Sequence, residues 1–485
     1  MLKRLSSLTL FISLLFLILS QNTVSAGNLP KIKKVKVSHK NNLSEVRIEL
    51  TDPLNENPKL ISNDQTTNFS LKAVLPKGRV SGEKLKTGRY EIDSKGFISK
   101  VILSPNLSET VFEVKNGYFS PVNFKIETKP PAIVAEFPKN YFLDEPLTLK
   151  PGIVRHLIRT VNSNGPVVIH LIEIDPSYKN ISFKVGLPDG GRIKSKETLS
   201  KMVKDQMAYI GINANYFDVK AGNPLGTTIS EGSWLIGPIY NRVAIGFSKD
   251  NKVFVDQVML TGQVTAFRGF RKKPVSMFEI DGLNTPYYLH DKIGFYTKHW
   301  DKSISPADGW IGLIVKGDHV KEKFNSEIEI PQEDYVLLGK KETPFSSLKK
   351  NDFMKIVWQS NPNWSEVSEA ISGGPYLLMN GEVYVDQKDQ KFKFTIKDTY
   401  TSRTAIGLGS GNKIYLIAAD GRIPGHSAGV SLMQLAELLK RLGLKEAINL
   451  DGGGSTTLVV DGMIINKLSD KHERKISNGL LVFYK

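Results

Sequence analysis

Ile414-Tyr415-Leu416-Ile417-Ala418-Ala419 is an unbroken apolar run that ends in Asp420-Gly421-Arg422. A second short run, Ala447-Ile448-Asn449-Leu450, ends in Asp451-Gly452-Gly453-Gly454-Ser455-Thr456-Thr457. Short continuous apolar runs are the mark of strands buried on both faces. Between them lies a well-marked helix. Ser431 and Gln434 have the spacing of a capping box. Leu432, Leu435, Ala436, Leu439 and Leu442 fall on one face, and Gly443 follows where a positive φ is needed. Strand, helix and strand in this order read as a mixed α/β unit, with each strand delivering an aspartate and a glycine at its carboxyl end. Ligands bind at such ends in open α/β sheets. The predicted fold class is therefore α+β, a small N-terminal β-sandwich at 27–140 followed by a larger mixed α/β catalytic domain at 150–485.

Outward from this centre, further strands are predicted at Val167–Ile174, Ile181–Val185, Val243–Phe247, Gly309–Val315 and Leu480–Phe483, with a second helix from Lys196 to Met207. Residues 27–140 differ in character. Val35–Ser38 and Val46–Leu50 alternate with the period of half-buried strands, and further strands are predicted at Phe97–Leu103, Glu109–Val114, Val122–Ile126 and Ile133–Phe137. This segment holds 19 Lys and Arg against 12 Asp and Glu, so it carries +7 of the chain's net +16. A basic surface attracts polyanions, and an anionic wall or extracellular polysaccharide is the expected partner. No nucleic-acid-binding motif is present.

At the amino end, Lys3 and Arg4 precede a 12-residue apolar run, Leu8–Leu19, and Val24-Ser25-Ala26 supplies small residues for cleavage. This reads as a secretory signal peptide over 1–26. The run is short of the about 20 residues that span a bilayer, so no stable membrane span is expected after its removal. The chain has no Cys, which excludes disulfides, Cys-ligated metal and a Cys nucleophile. A secreted, wall-associated protein is the expected location.

Four polar blocks carry the candidate chemistry. Asp420, Asp451 and Asp218 are the candidate catalytic carboxylates. Asn213 suits a sugar hydroxyl, and Arg403, Arg422 and Arg474 suit a phosphate, since guanidinium forks match its oxygens. The backbone N–H groups at Gly453 and Gly454, with the hydroxyls of Ser455, Thr456 and Thr404, suit an anion. No Gly-Lys-Ser/Thr follows the glycines, so this is not a Walker loop. Asn213, Asp218 and Asp451 also offer oxygen ligands for a divalent cation, Ca²⁺ or Mg²⁺, although nothing in the sequence requires one. A rival reading uses Gly425-His426-Ser427-Ala428-Gly429 as a nucleophile string, with Asp451 or Asp461 and then His472 completing a serine hydrolase. The other alternative is a glycan-binding protein without turnover.

Taken together, Gly211–Asp218 with Pro224-Leu225-Gly226, Ser372-Gly373-Gly374-Pro375, Arg403–Gly407, Asp420-Gly421-Arg422, Asn449–Thr457, Arg474 and Ile476-Ser477-Asn478 resemble the phosphodiester glycosidase family. The resemblance implies hydrolysis of a sugar-1-phosphodiester at the anomeric carbon. His426 departs from the less bulky or hydroxylated residue expected there. More loosely, Ile98–Ile102, Thr110–Val114 and Lys129–Pro138 resemble the AMIN domain, which implies wall targeting of an exported enzyme.

Overall fold

The computed structural model describes residues 30–485 except 41, 55–56, 64–69, 75–89, 94–97, 106–109, 189–192, 270–272, 287–292 and 393–395. The signal-peptide reading of residues 1–26 lies outside the described residues. The chain divides into two compact units, one ending at Tyr141 and one running Phe142–Lys485.

In the first unit, strands Ile32–His39, Leu43–Leu50, Pro131–Pro138 and Asn123–Thr128 form one antiparallel sheet. Lys59–Asn63, Ser70–Val74, Thr110–Asn116, Ile98–Pro105 and Tyr90–Asp93 form a second. The alternation legible in Leu43–Leu50 puts Val46, Ile48 and Leu50 inward, where they meet Val101, Leu103, Phe112 and Val114 of the other sheet in one core.

The second unit overturns the mixed α/β expectation. Among its described residues are two α-helices, Leu199–Asp205 and Leu432–Arg441, of 7 and 10 residues. The rest of the regular structure is almost wholly strand. One eight-stranded sheet runs in the order Phe142–Lys150, Ile153–Asn162, Gly165–Ile174, Ile414–Ala419, Arg403–Leu408, Glu446–Asn449, Tyr376–Met379, Glu382–Val383. Every pairing in it is antiparallel. The runs Ile414–Ala419 and Glu446–Asn449 are not neighbours, because Arg403–Leu408 lies between them and is antiparallel to both. They therefore run in the same direction and end at the same edge, where Arg403–Leu408 begins.

The physical cause of the misreading is burial on both faces. Ile406, Ile414, Leu416, Ala418 and Ile448 point into a core shared with a second sheet, which contributes Phe183, Ile210, Ile212, Leu458, Leu480 and Val482. Ala405, Ile417, Ala419 and Ala447 point the other way, against Leu432, Leu435, Ala436 and Leu439 of the helix. An antiparallel sheet covered on both faces loses the usual polar alternation and reads like a parallel one. The helix itself forms as its sequence dictates. Ser431 Oγ accepts from the Gln434 N–H at 3.2 Å, and Gly443 takes φ 82° just past the last turn. The Gln434 side chain does not close the box; it donates to Tyr400 Oη at 2.9 Å. Leu432, Leu435 and Leu439 are fully buried, each contributing about 1.5–3 kcal/mol of transfer free energy. The other helix is shorter than predicted and lays Leu199, Met202 and Val203 on Val459 and Leu481 of the second sheet.

A third, five-stranded sheet is interrupted. The chain leaves it after Val253–Asp256, builds another eight-stranded sheet between Met259 and Asn361, and returns as Val367–Ser372. Trp364 Nε1 donates to Asp256 Oδ2 at 2.9 Å, tying the two junctions together.

Candidate functional site

The shared edge of the first large sheet gathers the polar residues that end its strands. Leu450 N–H donates to Thr404 O at 2.8 Å and Asp451 N–H to Ala214 O at 3.0 Å. Asn213 ties these strand ends together: its Nδ2 donates to Asp451 O at 2.5 Å. Its Oδ1 accepts from Thr404 Oγ1 at 2.9 Å and from Thr457 N–H at 3.0 Å. Thr404 Oγ1 also lies 3.2 Å from Thr456 Oγ1. Asn213, Thr404 and Thr456 are buried, so they shape the site from beneath.

Asp451 sits above this scaffold and is partly exposed. Burial of its carboxyl pushes its pKa up to about 6, against the hydrogen bond of Ser455, the charge of Arg474 and the Gly452 N–H, which favour ionisation. Arg474 donates to Asp470 Oδ2 at 3.0 Å and 2.5 Å and reaches Ser455 Oγ at 3.4 Å. A Cβ at Gly454 would meet the ends of both members of this Arg474–Asp470 pair, which would have to shift to admit it. Gly453 has φ 62°, and a Cβ on it would lie 2.9 Å from Arg422 Nη2. Arg422 is exposed over the loop, and its side chain makes no hydrogen bond or ion pair with another described residue. The loop's own amides are less available than the sequence implied. The Gly453 N–H donates to Ser402 O beside the neighbouring strand, and the Ser455 and Thr456 N–H groups donate to the Gly452 and Gly453 carbonyls within the turn.

Asp420 ends the companion strand and has a different environment. It is fully buried. Its Oδ1 accepts from the Lys467 N–H at 3.0 Å, while Oδ2 lies 2.6 Å from His426 Nε2 and 3.5 Å from His170 Nε2. Burial opposes its ionisation, but the two histidine contacts outweigh that and hold the carboxyl below its ordinary range. Asp218 Oδ1 caps a turn by accepting from the Lys220 and Ala221 N–H groups. Arg403 is buried, and three of its five guanidinium N–H donors go to backbone carbonyls. Nη2 donates to Ile396 O at 2.7 Å and Thr399 O at 2.6 Å, and Nε to Val430 O at 3.4 Å. Burial lowers its pKa to about 10. The edge thus brings together Asn213, Thr404, Asp451, Ser455, Thr456, Arg422 and Arg474 around the Gly453-Gly454 turn. It leaves Asp218 in a separate turn and Asp420 beneath the surface.

The proposed oxygen ligands for a cation do not fit one. Asn213 Oδ1 and Asp218 Oδ1 are engaged as described, and among the described residues no three His, Asp or Glu side chains are placed to hold a metal ion. Nor does the serine-hydrolase string survive. Ser427 is fully buried, donating to Asp420 O at 2.7 Å and accepting from the Val168 N–H at 3.2 Å. Its histidine neighbour His426 serves Asp420, and His472 is exposed.

Sequence reasoning missed Tyr216, Asn449, Asp470 and Arg242. Tyr216 Oη donates to Gly374 O at 3.1 Å and receives a hydrogen bond from Asn449 Nδ2 at 2.6 Å. Burial raises the tyrosine well above its ordinary range, with Asp451 adding to the effect. Asp470 was detectable as the i−4 neighbour of Arg474; Arg242 had no local signal.

Residues 312–483 match the model of the phosphodiester glycosidase family. The block 211–226 lies outside the matched span, yet Asn213 joins the same edge. The human N-acetylglucosamine-1-phosphodiester alpha-N-acetylglucosaminidase is 32% identical over 111 residues, 21% of each chain. The chain thus spans about a fifth of the length of that curated relative. A hypothetical protein from Synechocystis has a similar fold, with TM-score 0.65 and 21% identity over 95% of this chain and 81% of that one. A Burkholderia pseudomallei protein predicted to be exported matches at TM-score 0.55 and 16% identity, over 94% and 98%. Among the described residues no helix is long and apolar enough to cross a membrane.

Proposed function

We propose that the Phe142–Lys485 unit hydrolyses a glycosyl phosphodiester with Asp451 as its reacting carboxylate. The carrying observation is Asp451 itself. It is a partly exposed residue whose carboxyl has a pKa of about 6, its ionised form favoured by Ser455 and Arg474, beside a glycine turn overhung by the cation of Arg422, unpaired among the described residues. The family match and the relative's printed activity support the reaction class.

In this reading the C1–O bond of the sugar breaks and the phosphomonoester leaves with both electrons. A water oxygen ends on C1, and its proton is released to solvent or to the leaving group. The departing phosphate is already a weak base, so it needs a positive clamp more than a proton. Arg422 and Arg474 supply positive charge there. Ionised Asp451 stabilises the positive charge that grows at C1, as carboxylates do in glycosidases. Asp420 contributes indirectly, by fixing the segment from Asp420 to Lys467 on which Arg422 stands.

We further propose that the protein is exported and that its basic first unit holds it on an anionic wall or extracellular polysaccharide. The signal-like segment at 1–26 and the +7 charge of residues 27–140 support this. Incubation with a panel of sugar-1-phosphodiesters, followed by assay of free sugar and phosphomonoester, tests the catalytic reading. Folded protein that cleaves no member would favour the glycan-binding alternative. Retention on wall material should fall at 1 M salt, where the Debye length is about 3 Å; a chain starting at residue 142 that is retained equally would sink the targeting role.

A further inference from the structure

Arg242 stands out because nothing balances its charge. The side chain is 8% exposed, and its Nε and Nη1 are buried without a hydrogen-bond partner. Among the described residues no carboxylate pairs with it. The guanidinium instead lies over aromatic rings, 4.3 Å from the centroid of Phe392, 5.3 Å from Tyr216 and 5.7 Å from Tyr240. Such stacking contributes about 0.5–2 kcal/mol, against a penalty of several kcal/mol for taking a cation out of water. A guanidinium that stays charged at any physiological pH therefore lacks its counter-charge.

Tyr216 connects this cation to the site. It feels the charges of Asp451, Arg403 and Arg242 together, and its hydroxyl is held by Asn449, two residues before Asp451. Asn449 Oδ1 is itself buried and unpartnered. Arg403, one of the three arginines that the sequence offered to phosphate, gives three of its five N–H donors to backbone carbonyls. Arg242 has kept two free, oriented by the rings on which it lies.

We propose that Arg242 is a further phosphate-binding residue beside this sheet edge, its unpaired N–H groups adding to the positive charge of Arg422 and Arg474 on the substrate's phosphodiester while Phe392 and Tyr216 hold the guanidinium plane. This rests on the glycosyl phosphodiester reading and names a further residue that would recognise the phosphate. A neutral sugar would leave the cation uncompensated, so selectivity for the phosphorylated substrate follows from the same atoms.

Calorimetric titration of the full chain with inorganic phosphate tests the inference without requiring turnover. Wild type and Asp451→Asn should bind, the latter at least as tightly because a neighbouring negative charge is gone. Arg242→Gln should weaken binding about tenfold or more, the loss expected for charged hydrogen bonds. Arg242→Lys should fall between, since it restores charge without the fork. Should Arg242→Gln fail to fold, Arg242→Lys and Phe392→Ala carry the test. Equal phosphate affinity in wild type and a folded Arg242 variant, or no phosphate binding by wild type, overturns the proposal. Phosphate binding through Arg242 with no cleavage of any sugar phosphodiester would leave Arg242 an anion site and sink the glycosidase reading. Cleavage with KM unchanged in Arg242→Gln would do the reverse.

Discussion

Asp420 and Asp451 begin as near equivalents. Each follows an apolar strand, each precedes glycine, and both strands end at one edge of one sheet. Their neighbours then separate them. Asp420 is sealed under two histidines and a backbone N–H and held ionised. Asp451 is left half-open, with its proton poised near pH 6. The difference teaches that the strand end decides only position, while the segment folding back over it decides chemistry. Residues 421–430 and 466–467 cover Asp420; the Gly452-Gly453-Gly454 turn, too small to cover anything, leaves Asp451 accessible.

The comparison can be broken most sharply by removing each carboxylate. Asp420→Ala should destabilise the protein by about 3–5 kcal/mol, because it strands buried polar groups that were paired; chemical denaturation measures this. Full stability in that variant would mean the histidine cluster is incidental. Asp451→Asn should leave the fold intact and lower turnover about 10²–10³-fold, by analogy with the loss of other preorganised polar groups. The same variant should be more stable than wild type at pH 8. A carboxyl raised from 3.8 to about 6 on folding loses stability as pH climbs through that interval, up to about 3 kcal/mol at 1.36 kcal/mol per unit. Since Asp451 is partly solvated, about 1–2 kcal/mol is the expected gain. Thermal denaturation of both proteins at pH 4 and pH 8 should show the gap open only at the higher value.

Turnover should respond to the same proton. With the ionised carboxylate as the working form, kcat should fall as pH drops through about 6, and an opposite limb would make Asp451 an acid instead. Stability lost with Asp420 follows another window: its depressed carboxyl holds its contribution above the ordinary carboxylate range and gives it up below about pH 4. The smallest effect on turnover is reserved for Ser427→Ala, which removes two buried hydrogen bonds worth about 1 kcal/mol each and should leave turnover within a few-fold of wild type. Abolished turnover with an intact fold would revive the serine reading.

Much of this edge was legible. Asp451, the glycine turn, Arg422 and the capped helix announce themselves through local spacing, and Arg474 through the family resemblance. Strand order did not, because Ile414–Ala419 and Arg403–Leu408 are buried on both faces and carry no alternation from which a neighbour or a direction could be inferred. Arg242 was invisible for a related reason. Its importance lies in what it lacks, a counter-charge, and that is a property of packing between Tyr216, Tyr240 and Phe392, which the chain supplies from distant positions. Arg403 misled in the opposite sense, since a single arginine before a strand gives no sign that three carbonyls will claim it.

The junction of Asp256 with Trp364 has a consequence for the history of the chain. Strands Val253–Asp256 and Val367–Ser372 are separated in their sheet by Ala244–Ser248 alone, so the chain departs and returns within about 10 Å, twice the interstrand spacing. The strands between Met259 and Asn361 make their own sheet and core, and they meet the rest through few backbone links, such as Gly237 N–H to Leu283 O. In terms of connectivity they form a closed excursion. Such an excursion can lengthen, shrink or exchange its outer surface while Asp451 and its companions keep their geometry, so the part of this molecule freest to diverge is the one whose two ends are fastened together.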